Sequence, residues 1–382
     1  MRILVVFGTR PEAIKMAPVI RQLQAQTQIE VKVCVTAQHR QMLDQVLALF
    51  KIVPDYDLDL MRKEQDLTDV TSRVLMGMRD VLREFQPERL LVHGDTTTTL
   101  AASLAAYYEH VSVGHVEAGL RTGNIYAPWP EEVNRKLVSS IADLHFVPTL
   151  SARQNLLRED IPEDNIVVTG NTVIDALQWG INILDTSLER RRKIDAQFDF
   201  IDDDRKLILV TGHRRENFGS GLEQICQAIC RLAQRDDIQI VYPVHLNPHV
   251  QKTVTRMLGN EKSVHLIEPV DYLPFIYLMR KAHLILTDSG GIQEEAPSVG
   301  KPVLVMRNVT ERPEAVMEGA VKLVGSDDEV IFNEVSWLLD NPGSYEAMRC
   351  AHNPYGDGQA AGRIVSACLQ ASRMKSGVLD KE

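Results

Sequence analysis

Short apolar runs alternate with amphipathic stretches along the chain. The first runs fall at 2–7, 31–36, 89–93, 111–117, 144–148 and 166–170. Between them, 11–23, 40–50, 97–108 and 131–142 carry apolar residues at helical spacing. Short apolar strands joined by helices form βαβ units, whose parallel sheet is buried on both faces. The pattern restarts at 206–212 and continues at 238–244, 264–268, 284–288, 302–306 and 321–324, with helices such as 222–232 and 291–298 between. The predicted fold class is therefore α/β, with two Rossmann-like, doubly wound domains. The stretch from 186 to 205 is charged and poor in strands, which puts the boundary there: 1–185, 186–360, and a terminal segment 361–382 with a helical pattern. Two such domains place a ligand in a cleft outside the carboxyl ends of their strands.

Composition narrows this picture. The chain has 382 residues, too many for one ordinary core. Its 44 % hydrophobic and 25 % charged residues exclude disorder, collagen-like repeats and a coiled coil. Its longest apolar runs fall far short of the ~20 residues that span a bilayer, so no membrane partner is expected. The net charge of −10 speaks against nucleic acid, which needs a basic footprint. The first residues read as a strand rather than a signal peptide. Five cysteines without a CxxC pair suggest neither a disulfide framework nor a structural zinc site. Cys226 and Cys230, four apart on a predicted helix, read as small core residues. The expected location is a reducing cytoplasm.

Candidate chemistry sits where strands end. Asp288-Ser289-Gly290-Gly291 leads from a strand into a helix, where glycine lets the backbone approach a ligand and the helix start offers N–H donors and a positive dipole end. A diphosphate fits such a turn, and Glu295 just inside the helix suits a ribose diol. A plain tight turn is the alternative. Gly8-Thr9-Arg10-Pro11 is a second strand-to-helix turn, with Arg10 and then Lys15 able to meet phosphate, or to serve as surface cations. Arg312 is a similar case. Asp95, Glu117 and Glu131 end or follow strands in the first half, and His213 ends the first strand of the second. Carboxylates and a histidine suit proton transfer. Two alternatives stand beside this. Asp95 also fits a helix N-cap, and His93-x-Asp95 with His115-x-Glu117 are chelating types that strand alternation would put on one side. Their spacing matches no familiar metal signature, and no metal is expected. Phe275 suits stacking on a base or a place in the core.

Taken together, these residues resemble a known family. Gly8-Thr9-Arg10-Pro11-Glu12-Ala13-Ile14-Lys15, His93-Gly94-Asp95-Thr96, Gly114-His115-Val116-Glu117, Pro130-Glu131-Glu132, Gly212-His213-Arg214-Arg215-Glu216, 287–297 and Glu311-Arg312-Pro313-Glu314 run in the order seen in the non-hydrolysing bacterial UDP-N-acetylglucosamine 2-epimerases. The resemblance spans about residues 1–370. It implies a GT-B-like fold with the active site between the domains and the last helix returning to the first domain. It implies interconversion of UDP-GlcNAc and UDP-ManNAc without NAD, metal or other cofactor, supplying cell-surface polysaccharide. It makes Asp95, Glu117, Glu131 and His213 catalytic. It places UDP on Arg10, Lys15, Phe275, Ser289, Gly290, Gly291, Glu295 and Arg312, with the backbone of Val270 by uracil, where some relatives carry Gln. Gln38, Gln41 and His245 match positions of a regulatory UDP-GlcNAc site, and relatives are usually homodimers. Three rivals are a glycosyltransferase of the same fold, a nucleotide-sugar-binding regulator without turnover, and a hydrolysing epimerase.

The chemistry suits such residues. The carbon 2 hydrogen of the sugar is not alpha to a carbonyl, so a carboxylate cannot remove it directly. If UDP departs first, positive charge builds at carbon 1 and the neighbouring hydrogen becomes acidic. Elimination gives a 2-acetamidoglucal, and re-addition with protonation on the other face gives the epimer.

Overall fold

The computed structural model describes residues 1–36, 40–60, 65–212, 214 and 217–379, with 40–42 and 374–379 as backbone only. The chain divides into two compact units, Met1–Ala176 with Tyr355–Glu382, and Leu177–Pro354.

Unit 1 runs β1 (Arg2–Phe7), α1 (Arg10–Gln24), β2 (Glu30–Val35), α2 (Arg40–Phe50), β3 (Tyr56–Asp57), α3 (Leu67–Phe85), β4 (Arg89–His93), α4 (Thr97–Tyr108), β5 (Ser112–Val116), α5 (Glu131–Ile141), β6 (Leu144–Val147), α6 (Leu150–Arg158) and β7 (Ile166–Val168). Its seven strands are parallel in the order β3-β2-β1-β4-β5-β6-β7. Val5 pairs with Val33 on one side and Leu91 on the other. Ile3 to Phe7 are buried because a central parallel strand has a helix layer on each face. On one face, Ala101, Ala102, Ala105 and Ala106 of α4 pack in a core with Val74, Met78 and Leu82 of α3. Small alanines let the two helices approach closely.

Unit 2 continues from α7 (Thr172–Thr186) through α8 (Leu188–Asp195), β8 (Lys206–Thr211), α9 (Ser220–Leu232), β9 (Ile238–Pro243), α10 (Pro248–Leu258), β10 (Val264–Ile267), α11 (Tyr272–Lys281), β11 (Leu284–Thr287), α12 (Gly290–Ser298), β12 (Val303–Val305), α13 (Pro313–Met317), β13 (Val321–Leu323), α14 (Asp328–Asp340) and α15 (Pro342–Arg349). Its six parallel strands follow β10-β9-β8-β11-β12-β13. Leu222, Ile225, Cys226, Ile229 and Leu232 make the apolar stripe of α9 and join a core with Ile208, Val210 and Ile240. Full burial of each large aliphatic side chain stabilises by about 1.5–3 kcal/mol. Cys226 is one of these core residues, and burial pushes its thiol up to about 12.

The division falls earlier than the charged stretch suggested. It lies at Ala176 and Leu177, inside the continuous helix α7, and the chain returns at Pro354 and Tyr355 rather than after residue 360. A boundary inside an unbroken helix leaves no mark in composition. The charged stretch instead folds partly as α8, whose Ile194 is buried while its arginines face solvent. The last helix, α16 (Ala360–Leu379), belongs to unit 1 and packs on α1. Asp175 accepts from the N–H groups of Ala361 (2.9 Å) and Ala360 (3.2 Å), satisfying donors at its start.

Candidate active site

Strand order reverses between β1 and β4 in unit 1 and between β8 and β11 in unit 2. Helices leave such a point on opposite faces, which opens a crevice at the strand ends. The predicted site residues Arg10, Lys15, Asp95, Ser289, Gly290 and Gly291 all follow one of these strands.

In unit 1, β1 turns into α1 through a capping box, with Thr9 at the cap and Glu12 answering it. Glu12 does more than cap. Its Oε2 accepts from the N–H groups of Gly8 (3.0 Å) and Thr9 (2.8 Å), and its Oε1 from the hydroxyls of Thr96 (2.7 Å) and Thr99 (3.2 Å). Burial raises its carboxyl above the ordinary range, while the hydroxyls and N–H donors pull it back. One buried acid thus ties the turn after β1 to the turn after β4. Arg10 opens α1 half-buried, and Lys15 is buried one turn on.

The cap of α4 is Thr96, whose hydroxyl accepts from Thr99 N–H, so Asp95 is not the helix cap. Asp95 instead pairs with Arg135 of α5 at 2.6 Å, and its carbonyl accepts from Asn134 Nδ2 at 2.8 Å. Arg135 is held in turn by the fully buried Glu132 at 3.0 Å, which also accepts from the N–H groups of Thr122 and Gly123. Glu117 follows β5 with φ 62°, a left-handed conformation that costs a non-glycine residue about 1–3 kcal/mol. Its carboxylate pairs with Lys15, accepts from Asn171 Nδ2 at 2.9 Å, and has His93 Nε2 at 3.7 Å. Glu131 opens α5, and its buried Oε2 has no hydrogen-bond partner among the described residues.

The histidines do not form chelates with these acids. Alternation applies only within a strand, and Asp95 and Glu117 lie beyond the ends of β4 and β5. His115 Nε2 lies 2.6 Å from the Gly94 carbonyl, which makes that nitrogen the protonated one. Burial pushes His93 down to about 4 and His115 to about 3, so both are neutral near pH 7. Among the described residues no cluster of His, Cys, Asp and Glu is grouped to hold a metal.

In unit 2, Asp288 plays the part that Glu12 plays in unit 1. Its Oδ2 accepts from Arg214 N–H (2.9 Å) and Asn217 Nδ2 (3.2 Å), tying the end of β11 to the loop after β8. Ser289 is the N-cap of α12, but its side chain makes no cap hydrogen bond. The first turn therefore keeps N–H donors for an anion. Arg312 lies directly over it: a Cβ added to Gly290 would sit 2.6 Å from Arg312 Nη1. Arg312 is fixed by Glu294 at 2.7 Å and by Glu311. Burial alone would raise Glu311, but the guanidiniums of Arg312, Arg307 and Arg214 outweigh it and hold the carboxyl at about 2. Glu295 accepts from Tyr272 Oη at 2.9 Å, which joins α12 to the start of α11, where Phe275 is half-buried. Val270 is half-buried in the loop before α11.

Within each unit, then, the structure brings most predicted residues to the strand ends. His213 and Gln38 lie outside the described residues, as does the side chain of Gln41. His245 is exposed after β9, where its Nδ1 accepts from Asn247 N–H at 3.1 Å. Sequence reasoning did not single out Glu12, Arg135, Asn171, Tyr272 or Glu311. A signal existed for Asn171, which follows Gly170 at a strand end like the rest. Arg135 was marked only by being a charge on the buried face of its helix.

The family described as UDP-N-acetylglucosamine 2-epimerase matches residues 21–369. The Escherichia coli K12 protein named UDP-N-acetylglucosamine 2-epimerase is 61 % identical over 368 residues, covering 96 % of this chain and 98 % of that relative. The crystal structure of the Neisseria meningitidis UDP-GlcNAc 2-epimerase bound to UDP-GlcNAc matches with a TM-score of 0.93 and 54 % identity, over 97 % of this chain and 100 % of that one. The Methanocaldococcus jannaschii UDP-GlcNAc 2-epimerase in complex with UDP-GlcNAc and UDP matches with a TM-score of 0.83 and 34 % identity, over 97 % and 100 %. These likenesses agree with two α/β domains of the GT-B-like class.

Proposed function

The chain belongs to the UDP-N-acetylglucosamine 2-epimerase family, and from that premise we propose that it interconverts UDP-GlcNAc and UDP-ManNAc by eliminating and re-adding UDP. It is an isomerase. The observation that carries the mechanism is a division of chemistry. Asp95 and Glu117 stand just past strand ends in unit 1 and Glu131 opens α5, while Arg312 backs an uncapped helix start in unit 2.

The bond from carbon 1 to the diphosphate oxygen breaks, and UDP leaves with the electron pair. The N–H groups at Gly290 and Gly291, with Arg312 and Arg10, stabilise the departing charge. A carboxylate takes the carbon 2 proton, and a double bond forms between carbons 1 and 2. A proton then returns to carbon 2 from the opposite face while a UDP oxygen rebonds to carbon 1. Atoms and charge balance without an oxidant. Glu117 beside Lys15 and Asp95 beside Arg135 are the candidate bases. Phe275 and Val270 take the uracil, and Glu295 the ribose. His213 is a proton carrier or a partner of the diphosphate. The assembly is a cytoplasmic homodimer supplying cell-surface polysaccharide, with Gln38, Gln41 and His245 in a regulatory UDP-GlcNAc site.

Proton NMR of the protein with UDP-GlcNAc in deuterated water, without added cofactor, tests this. The expected result is UDP-ManNAc, with deuterium at carbon 2 of both sugars at equilibrium. Free ManNAc and UDP as main products would move the assignment to a hydrolysing enzyme. Sugar appearing only on an added acceptor would make it a transferase.

A further inference from the structure

We propose that Asn171 is a positioning residue for Glu117, and that its one amide both orients that carboxylate and starts α7, the helix by which the chain leaves unit 1. The proposal rests on the catalytic role given to Glu117 above. Asn171 is 3 % exposed and follows β7. Its Nδ2 donates to Glu117 Oε2 at 2.9 Å, and its Oδ1 accepts from Val173 N–H at 3.0 Å, as an N-cap does. Its own N–H donates to the carbonyl of Tyr355 at 2.7 Å. The neighbouring Gly170 (φ 85°) lies against Gly356: a Cβ on Gly170 would be 3.3 Å from the Gly356 Cα. Backbone and side chain of Asn171 are thus fixed together.

Such fixing matters because of what faces Glu117. Among the described residues, Lys15 from α1 and His93 from β4 stand against it; His115 turns to the Gly94 carbonyl, and Asp95 turns to Arg135. The Lys15 ammonium is a compact charge on a flexible stem, which attracts a carboxylate without setting its orientation. His93 is neutral and stands 3.7 Å away. The amide N–H of Asn171 is directional, so it selects which lone pairs of Glu117 stay turned toward substrate.

The two duties of the amide can be separated. Asn171→Asp keeps an oxygen that caps α7 but replaces the donor with a second carboxylate oxygen. Asn171→Ser keeps a capping hydroxyl and is too short to reach Glu117. Both are good cap residues, so the fall in melting temperature should be a modest one that reflects the lost Glu117 contact and not loss of the helix start. Loss of a donor to a charged group predicts a fall in kcat of about 10- to 100-fold in both variants. KM for UDP-GlcNAc should stay within about twofold, because the lost contact is to the catalytic carboxylate and not to the nucleotide. In Asn171→Asp the acid limb of the kcat profile should also move up by about one pH unit, since a neighbouring carboxylate favours protonated Glu117. Carbon-13 titration of the Glu117 carboxyl in the substrate-free protein reads the same shift without turnover. A titration and a kcat profile unchanged in Asn171→Asp would overturn the proposal and leave Asn171 a helix cap alone. So would losses of kcat that merely track losses of melting temperature. An inactive wild type would sink the epimerase assignment, and the titration would still decide the positioning.

Discussion

Unit 1 reverses its strand order between β1 and β4, and unit 2 between β8 and β11. In each, one buried acid bridges the reversal: Glu12 joins the turns after β1 and β4, and Asp288 joins the end of β11 to the loop after β8. The same architecture then carries different chemistry. Among the described residues of unit 1, Asp95 pairs with Arg135 and Glu117 with Lys15, while Glu131 opens α5. In unit 2 three arginines surround Glu311, and a glycine helix start lies under one of them. The difference teaches that topology chooses where a site stands, while the residues just past each strand choose what it does. Carboxylates set beside cations suit proton transfer, whereas crowded arginines beside a glycine helix start suit an anion.

The largest expected break of this contrast is Glu117→Gln. Removing a group that transfers a proton costs about 10²–10⁴ in rate. Deuterium incorporation at carbon 2 should collapse by that factor while UDP affinity, measured by calorimetry, stays near the wild-type value. A parallel loss of UDP affinity would mean that unit 1 also holds the anion.

The converse change is Gly290→Ala. The added methyl would meet Arg312 Nη1 at 2.6 Å, and Arg312 cannot retreat freely because Glu294 and Glu311 hold it. Loss of one charge-assisted contact of about 1.5–3 kcal/mol predicts UDP binding weakened roughly 10- to 100-fold. Wild-type UDP affinity in this variant would remove the helix start from the anion site.

The bridging acids should act on stability. Glu12→Ala leaves the hydroxyl of Thr96 and the N–H groups of Gly8 and Thr9 without this acceptor, while the Thr99 hydroxyl keeps the His93 carbonyl. A loss of about 1–3 kcal/mol in urea unfolding follows. Asp288→Ala should cost a similar amount through Asn217 and Arg214. If either variant were as stable as the wild type, the shared bridge would be geometry without energetic weight.

The smallest effect is a graded one with pH. His93, His115 and His145 are buried in unit 1 and lowered from 6.5 to about 4, 3 and 4. A folded value below the unfolded one means the unfolded chain binds more protons, so this stability is complete above pH 6.5 and is lost as pH falls toward 4. Among the described residues of unit 2, the half-buried His283 is lowered to about 4, and His265 is also lowered. Its Glu311 is lowered from 4.5 to about 2, so that contribution is complete above 4.5 and is lost only toward 2. Hydrogen exchange near pH 5 should therefore weaken β4, β5 and β6 before β8 and β11. Equal weakening would show that the buried histidines do not set the acid response.

Much of the fold was legible because parallel strands write themselves as continuous apolar runs. Of the predicted strands, 2–7 and 89–93 match β1 and β4 to the residue, and the others differ only at their ends. β3, two residues long, offered no run to detect. Site residues were legible where a loop interrupts such a run with glycine and charge, as at Gly8-Thr9-Arg10 and Asp288-Ser289-Gly290-Gly291.

Periodicity thus determined the class of fold, and strand-end polarity marked where chemistry could sit; its assignment to a nucleotide sugar came from the resemblance of the motifs to a family. Pairing was decided by the tertiary structure alone. Asp95 read equally as a helix cap until Thr96 was seen in that place and Arg135, forty residues on in sequence terms, was seen against it. Glu117 was one acid among several until Lys15, His93 and Asn171 met it from separate elements. The physical reason is range. Hydrophobic period and turn chemistry act between near neighbours in the chain and are written there, whereas hydrogen bonds and ion pairs that orient a carboxylate join residues whose nearness exists only after the sheet has closed.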